Sequence, residues 1–149
     1  MNFQQTILSI SMVIATTACL QQAVKNEWAI TYRKVDVFIG NCKIKISTDS
    51  CYYESTFSYN RKPIIVSWKS SRQKLSELYK KIVAFNLEQC SPIRAAITEE
   101  PFETMELIQN DRVLFSIQRE QQTATDFIKF DSVVAILKSF SSEAQGWKY

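Results

Sequence analysis

Four carboxylates crowd the stretch "TEEPFETME": Glu99, Glu100, Glu103 and Glu106. Paired carboxylates can divide acid and base work between them, as in glycoside hydrolysis. This run is therefore the one stretch with catalytic potential. Its plainer use is as a solvated acidic surface that docks a basic protein, because charged rims steer association and select partners. The chain has no histidine, which excludes Ser-His-Asp and Cys-His nucleophilic systems. Two glycines, Gly40 and Gly146, cannot build a phosphate-cradling loop or a dinucleotide fingerprint. Cys42, Cys51 and Cys90 are scattered, with no CxxC pair, so the usual zinc ligand set is missing. The expectation is a binding protein rather than an enzyme, with no cofactor, metal or small-molecule ligand.

The N-terminus sets the compartment. No charged residue precedes Lys25, and Ile7 to Ala15 form a short apolar segment with two serines inside it. A membrane-spanning helix needs roughly twenty apolar residues, whereas a secretory h-region needs about 7–15 followed by small residues. "ATTAC" supplies that ending, and Thr16 and Ala18 suit the positions flanking a cut before Cys19. Thr16-Thr17-Ala18-Cys19 resembles the lipobox of bacterial lipoproteins. The resemblance implies that Cys19 becomes the first mature residue and carries acyl chains. Leu20 after the cysteine, in place of Asp, implies outer-membrane delivery on the periplasmic side. Plain secretion to the periplasm or beyond, and an uncleaved apolar helix, are the alternatives. The expected organisation is a signal peptide over 1–18, a tether over 19–26, one globular domain over 27–141 and a flexible tail over 142–149.

Export would place the cysteines where disulfides persist. If Cys19 is acylated, one bridge and one free thiol remain from Cys42, Cys51 and Cys90. If "STDS" closes a hairpin, Ile46 faces Cys51 and leaves Cys42 about 13 Å away along its strand. A disulfide needs Cα atoms about 4.4–6.8 Å apart. Cys90 is therefore the expected partner for one of the two.

The elements that must carry these groups show in the patterning. "WAITY" alternates, with Trp28, Ile30 and Tyr32 on one face. "VDVFIGNCKIKI" suggests a hairpin turning at Gly40-Asn41, pairing Ile39 with Cys42, Val37 with Ile44 and Val35 with Ile46. "CYYESTFSY" alternates, and "PIIVSW" reads as a buried strand. Ser70 with Gln73 has the capping-box form, ahead of a helical stripe of Leu75, Leu78, Tyr79, Ile82 and Phe85, with Pro92 beyond its end. "ETMELIQNDRVLFSIQRE" suggests a second hairpin. A three-residue loop there puts Met105 and Leu107 on one face with Val113, Phe115 and Ile117. A final helix is expected from about Thr125 to Ser141, with Phe127, Phe130, Val134 and Leu137 as its stripe. The predicted fold is α+β: an antiparallel sheet of about six strands with two helices on one face.

Charge is lopsided. Lys25 to Lys81 hold 12 basic and 5 acidic residues, and Ile82 to Tyr149 hold 6 basic and 10 acidic. In an exported protein the basic half would face anionic lipid rather than nucleic acid. The function these features suggest is a lipid-anchored inhibitor or immunity protein. It would act in the periplasm on a toxin or hydrolase of the cell envelope, through a protein partner and a membrane tether. The alternative is a structural or assembly lipoprotein of an envelope complex.

Overall fold

The computed structural model describes residues 27–36, 38–57, 62–90, 102–119 and 123–146. Cys19, the leader, the tether, Glu99, Glu100 and Pro92 lie outside these residues. Six antiparallel strands form one sheet: β1 (Trp28–Val35), β2 (Gly40–Ser47), β3 (Cys51–Phe57), β4 (Ile64–Trp68), β5 (Phe102–Gln109) and β6 (Arg112–Gln118). Their order across the sheet is β4-β3-β2-β1-β5-β6, so the first four strands meander and the last hairpin adds beside β1. Helices α1 (Arg72–Val83) and α2 (Ala124–Gln145) complete an α+β fold.

The alternation read from "WAITY" organises the core. Trp28, Ile30 and Tyr32 are buried on one face of β1. Pairing brings Ile30 opposite Ile46 on one side and Leu107 on the other, and Tyr32 opposite Ile44 and Met105. Leu75, Leu78 and Ile82 of α1, and Phe130, Val133, Val134 and Leu137 of α2, close over this same face. Each such aliphatic or aromatic side chain contributes about 1.5–3 kcal/mol when fully buried. Both helices therefore cover one layer, and among the described residues no element covers the other sheet face. No helix among the described residues is long and apolar enough to cross a membrane.

The first hairpin differs from its expected register. Strand β1 ends at Val35, and Ile30 rather than Val35 faces Ile46. The cause is Asp36. Its buried carboxylate accepts the backbone N–H groups of Phe38 (3.0 Å) and Ile39 (2.9 Å), and its carbonyl accepts from Gly40 at 2.9 Å. An Asp that bonds its own backbone two and three residues on replaces a strand with a turn. Gly40 opens β2 at φ 119°, opposite Phe57. A Cβ there would fall 1.9 Å from the Thr56 carbonyl oxygen.

Other boundaries moved by small amounts with clear causes. The Asn110-Asp111 turn is a two-residue one, both residues having positive φ. A bulge between Leu107 and Ile108 then restores Leu107 opposite Phe115, and Val113 moves to the open face opposite Ile108. Met105, Leu107, Phe115 and Ile117 keep their place in the core through that extra residue, not through a longer loop. Helix α1 is capped by Ser71, whose Oγ accepts from Lys74 N, one residue later than Ser70. Gln73 instead reaches Glu77 along the helix. The helix ends at Val83, and Asn86 in the left-handed region starts a 3₁₀ turn at Leu87–Gln89. Strand β4 is an outer strand whose Ile65 is 57% exposed, not a buried one. Helix α2 runs on through Ser141 and Ser142, both buried, to Gln145, so residues 142–145 belong to the helix.

Replacing Gly40 with Ala should destabilise the protein by about 1–3 kcal/mol from backbone conformation alone. The clash with β3 adds to that. Chemical denaturation of the purified domain measures it.

Candidate functional site

Strand parity decides where the acidic run goes. Glu103 pairs with Lys34 and Glu106 with Thr31, three residues apart on one strand, so the two point to opposite sheet faces. They cannot form a catalytic pair or a single docking patch.

Glu103 lies on the helix side. Its carboxylate accepts from Lys34 Nζ at 2.7 Å and from the Tyr32 hydroxyl at 3.1 Å. Next to it, Arg119 at the end of β6 makes a bidentate bond to Asp131 of α2, with Nε to Oδ1 at 2.9 Å and Nη2 to Oδ2 at 3.0 Å. The Arg119 guanidinium also lies 5.0 Å over the Phe127 ring. Lys138, about two turns beyond Asp131 along α2, places its ammonium 5.9 Å over the Tyr32 ring. Lys34, Glu103, Arg119, Asp131 and Lys138 line a cleft of about 400 Å³ between α2 and the end of the sheet. Three cations and two carboxylates meet there, an arrangement that can hold a charged group.

The electrostatics follow from these contacts. The Arg119 hydrogen bonds hold Asp131 below the usual carboxylate range, with Lys138 and Lys34 adding to the pull. Burial, and then the Glu103 carboxylate, push the Tyr32 phenol above its ordinary value. At the start of α2, the Thr123 hydroxyl and Lys129 lower Asp126.

The same end of the sheet carries the β1–β2 turn. Phe38 and Ile39 project from it 80% and 71% exposed, the two most exposed large apolar side chains among the described residues. In the sequence pattern both read as strand residues. The available signal was Asp36, two and three residues ahead of them.

Cys42, Cys51 and Cys90 are free thiols, and no disulfide occurs among the described residues. The hairpin closed by "STDS" does set Ile46 opposite Cys51, and Cys42 faces Ser55. Cys90 was the expected partner, but it closes the 3₁₀ turn that packs on β6 and α2. Strand β6 lies three strands from β2 and four from β3, roughly 14 and 19 Å at the usual spacing. That is beyond disulfide reach. Burial pushes the Cys51 thiol up to about 11. Burial also raises Cys42, against the opposing pull of Lys138 and the Tyr53 hydroxyl. Cys90 is raised by burial and by Asp126. No cluster of three or more His, Cys, Asp or Glu residues among the described residues could hold a metal ion.

No protein-family model matches the chain. A comparison with curated proteins finds no significant relative.

Two outcomes test this geometry. Asp131 has a lowered folded value, so its contribution to stability is present above the ordinary Asp value near 3.9 and is lost as pH falls through the lower folded value. Melting curves should therefore fall more steeply below about pH 4 for the wild type than for Asp131→Asn. In native protein at neutral pH, a thiol reagent should label Cys51 last, because it is buried and holds its proton; denaturation should abolish the difference.

Proposed function

We propose that the protein is a small binding protein that docks a protein partner through the sheet end carrying Phe38 and Ile39. In this reading it serves as a lipid-anchored inhibitor or immunity protein against an envelope-acting toxin or hydrolase. One observation carries the docking surface. A buried Asp36 carboxylate locks a turn whose only large side chains among its described residues, Phe38 and Ile39, stand in solvent. Apolar anchors of this kind dominate interface energies when they enter a pocket on the partner. Locking them in advance lowers the ordering cost of binding. The neighbouring cleft, with Lys34, Glu103, Arg119, Asp131 and Lys138, supplies the charged rim that selects among partners.

The tether fits this surface. Strand β1 starts at Trp28 and ends beside the turn, roughly 23 Å away at the usual rise. An anchor at Cys19 would hold the Trp28 end toward the membrane and present the turn outward.

Deleting the gene should sensitise cells to an envelope-acting effector delivered by a competitor. Wild-type protein should restore protection, and Phe38→Ala/Ile39→Ala should not. Exposed substitutions of this kind shift stability by only about 0.5 kcal/mol each, so the variant should remain folded, which circular dichroism checks. Full protection by the double variant, or no sensitisation on deletion, would sink the reading. A stoichiometric envelope partner recovered without any protection would favour the assembly role. The intact mass of membrane-extracted protein, expected to begin at an acylated Cys19, tests the anchor separately.

A further inference from the structure

The sheet face away from the helices carries a second charged feature. Arg33 and Lys43 are directly paired across β1 and β2, and Lys45 lies two residues along β2. All three are exposed. Among the described residues none of them forms an ion pair. Like charges directly opposite one another destabilise a sheet. Here the Arg33–Lys43 pair sits near the middle of a six-stranded sheet, with Glu54 opposite Lys43 on its other side. The ring of Tyr52 lies 6.0 Å from the Lys43 ammonium, and its hydroxyl donates to Glu54 at 2.8 Å, which turns that carboxylate's hydrogen bonding toward Tyr52.

We propose that this open face is a docking surface for an acidic patch on a protein, whose carboxylates sit over Arg33, Lys43 and Lys45. The face also holds two carboxylates in the same cross-strand rows. Glu54 lies beside Lys43, and Glu106 lies across Thr31 from Lys45. A uniformly anionic lipid surface would be repelled at both positions. A discrete acidic patch fits between them, and the flanking carboxylates then set its register. The surroundings suit a flat polar contact: Thr31, Thr104 and Ser116 share the face, and Ile65 and Val113 flank it as exposed apolar groups near its two edges. This surface is separate from the Phe38–Ile39 turn and does not depend on it.

The test uses the whole mature chain with short poly-L-glutamate as the probe, followed by amide chemical shifts at low salt. Shifts should centre on Arg33, Lys43 and Lys45 and fade as salt rises. Arg33→Glu/Lys43→Glu should weaken binding about tenfold or more. Lys43→Thr should also weaken it while leaving the fold intact, because the substitution removes both the like-charge pair with Arg33 and the opposite-charge pair with Glu54. Phe38→Ala/Ile39→Ala should bind the probe like the wild type, so failure here is separable from failure of the first surface. Shifts confined to Lys74, Lys80 and Lys81 of α1 would overturn the proposal. So would unchanged binding after charge reversal. Vesicles of phosphatidylglycerol and phosphatidylethanolamine form the last arm: binding to them through Arg33, Lys43 and Lys45 in preference to poly-L-glutamate would assign the face to lipid instead.

Discussion

Period-two alternation along β1 is the constraint on which the rest of the structure depends. The strand is central and hydrogen-bonded on both sides, so its register sets that of β2 and β5 together. Trp28, Ile30 and Tyr32 must lie on the helix side, because a slip by one residue would bury Thr31 and Arg33 and expose the core set. Every charged group near the sheet inherits its side from that choice. Lys34 and Glu103 fall under α2, and Arg33, Lys43, Lys45 and Glu106 fall on the open face.

Tyr32 shows how one core residue organises a surface. Its ring is buried edge-on to Phe130 at 6.4 Å. Its hydroxyl sits at the margin of the core and would be costly to leave unbonded. Glu103 satisfies it, and Lys34 in turn satisfies Glu103. Lys138 and the Arg119–Asp131 pair complete the cleft above. A hydrogen-bond requirement of the core is thereby coupled to a charged opening that a partner can reach. The Asp36 turn works by similar logic. A buried carboxylate is satisfied by backbone N–H groups, and the chain it bends presents Phe38 and Ile39 outward.

Much of the fold was legible because it depends on local chemistry. The helical stripe Leu75, Leu78, Ile82 and the alternation in "WAITY" are periodic signals that burial rewards directly. The "STDS" turn and its register also followed from composition and alternation. The structure departs from the sequence pattern where two local cues compete. Gly40-Asn41 has the form of a hairpin turn, yet Asp36 bends the chain first and Gly40 serves the close approach of β3. Asn110-Asp111 does form the short turn, and a bulge absorbs the parity error that had argued against it. Within the acidic run, a spacing of three in a strand separates Glu103 from Glu106, while Glu99 and Glu100 lie outside the described residues.

By itself the sequence determined the α+β class, the number of strands, the core face of each long element and the lack of a histidine-based catalytic set. These are properties of composition and of periodicity within one segment, where the physics is local. Only the tertiary structure decided which strands are neighbours, that Cys90 packs toward the β6 edge while Cys51 lies on β3, and that Lys34, Glu103, Arg119, Asp131 and Lys138 converge on one cleft. Those facts depend on strand order and on the path of the chain from β4 to β5. Many orders satisfy the same burial pattern, so no single segment encodes the choice.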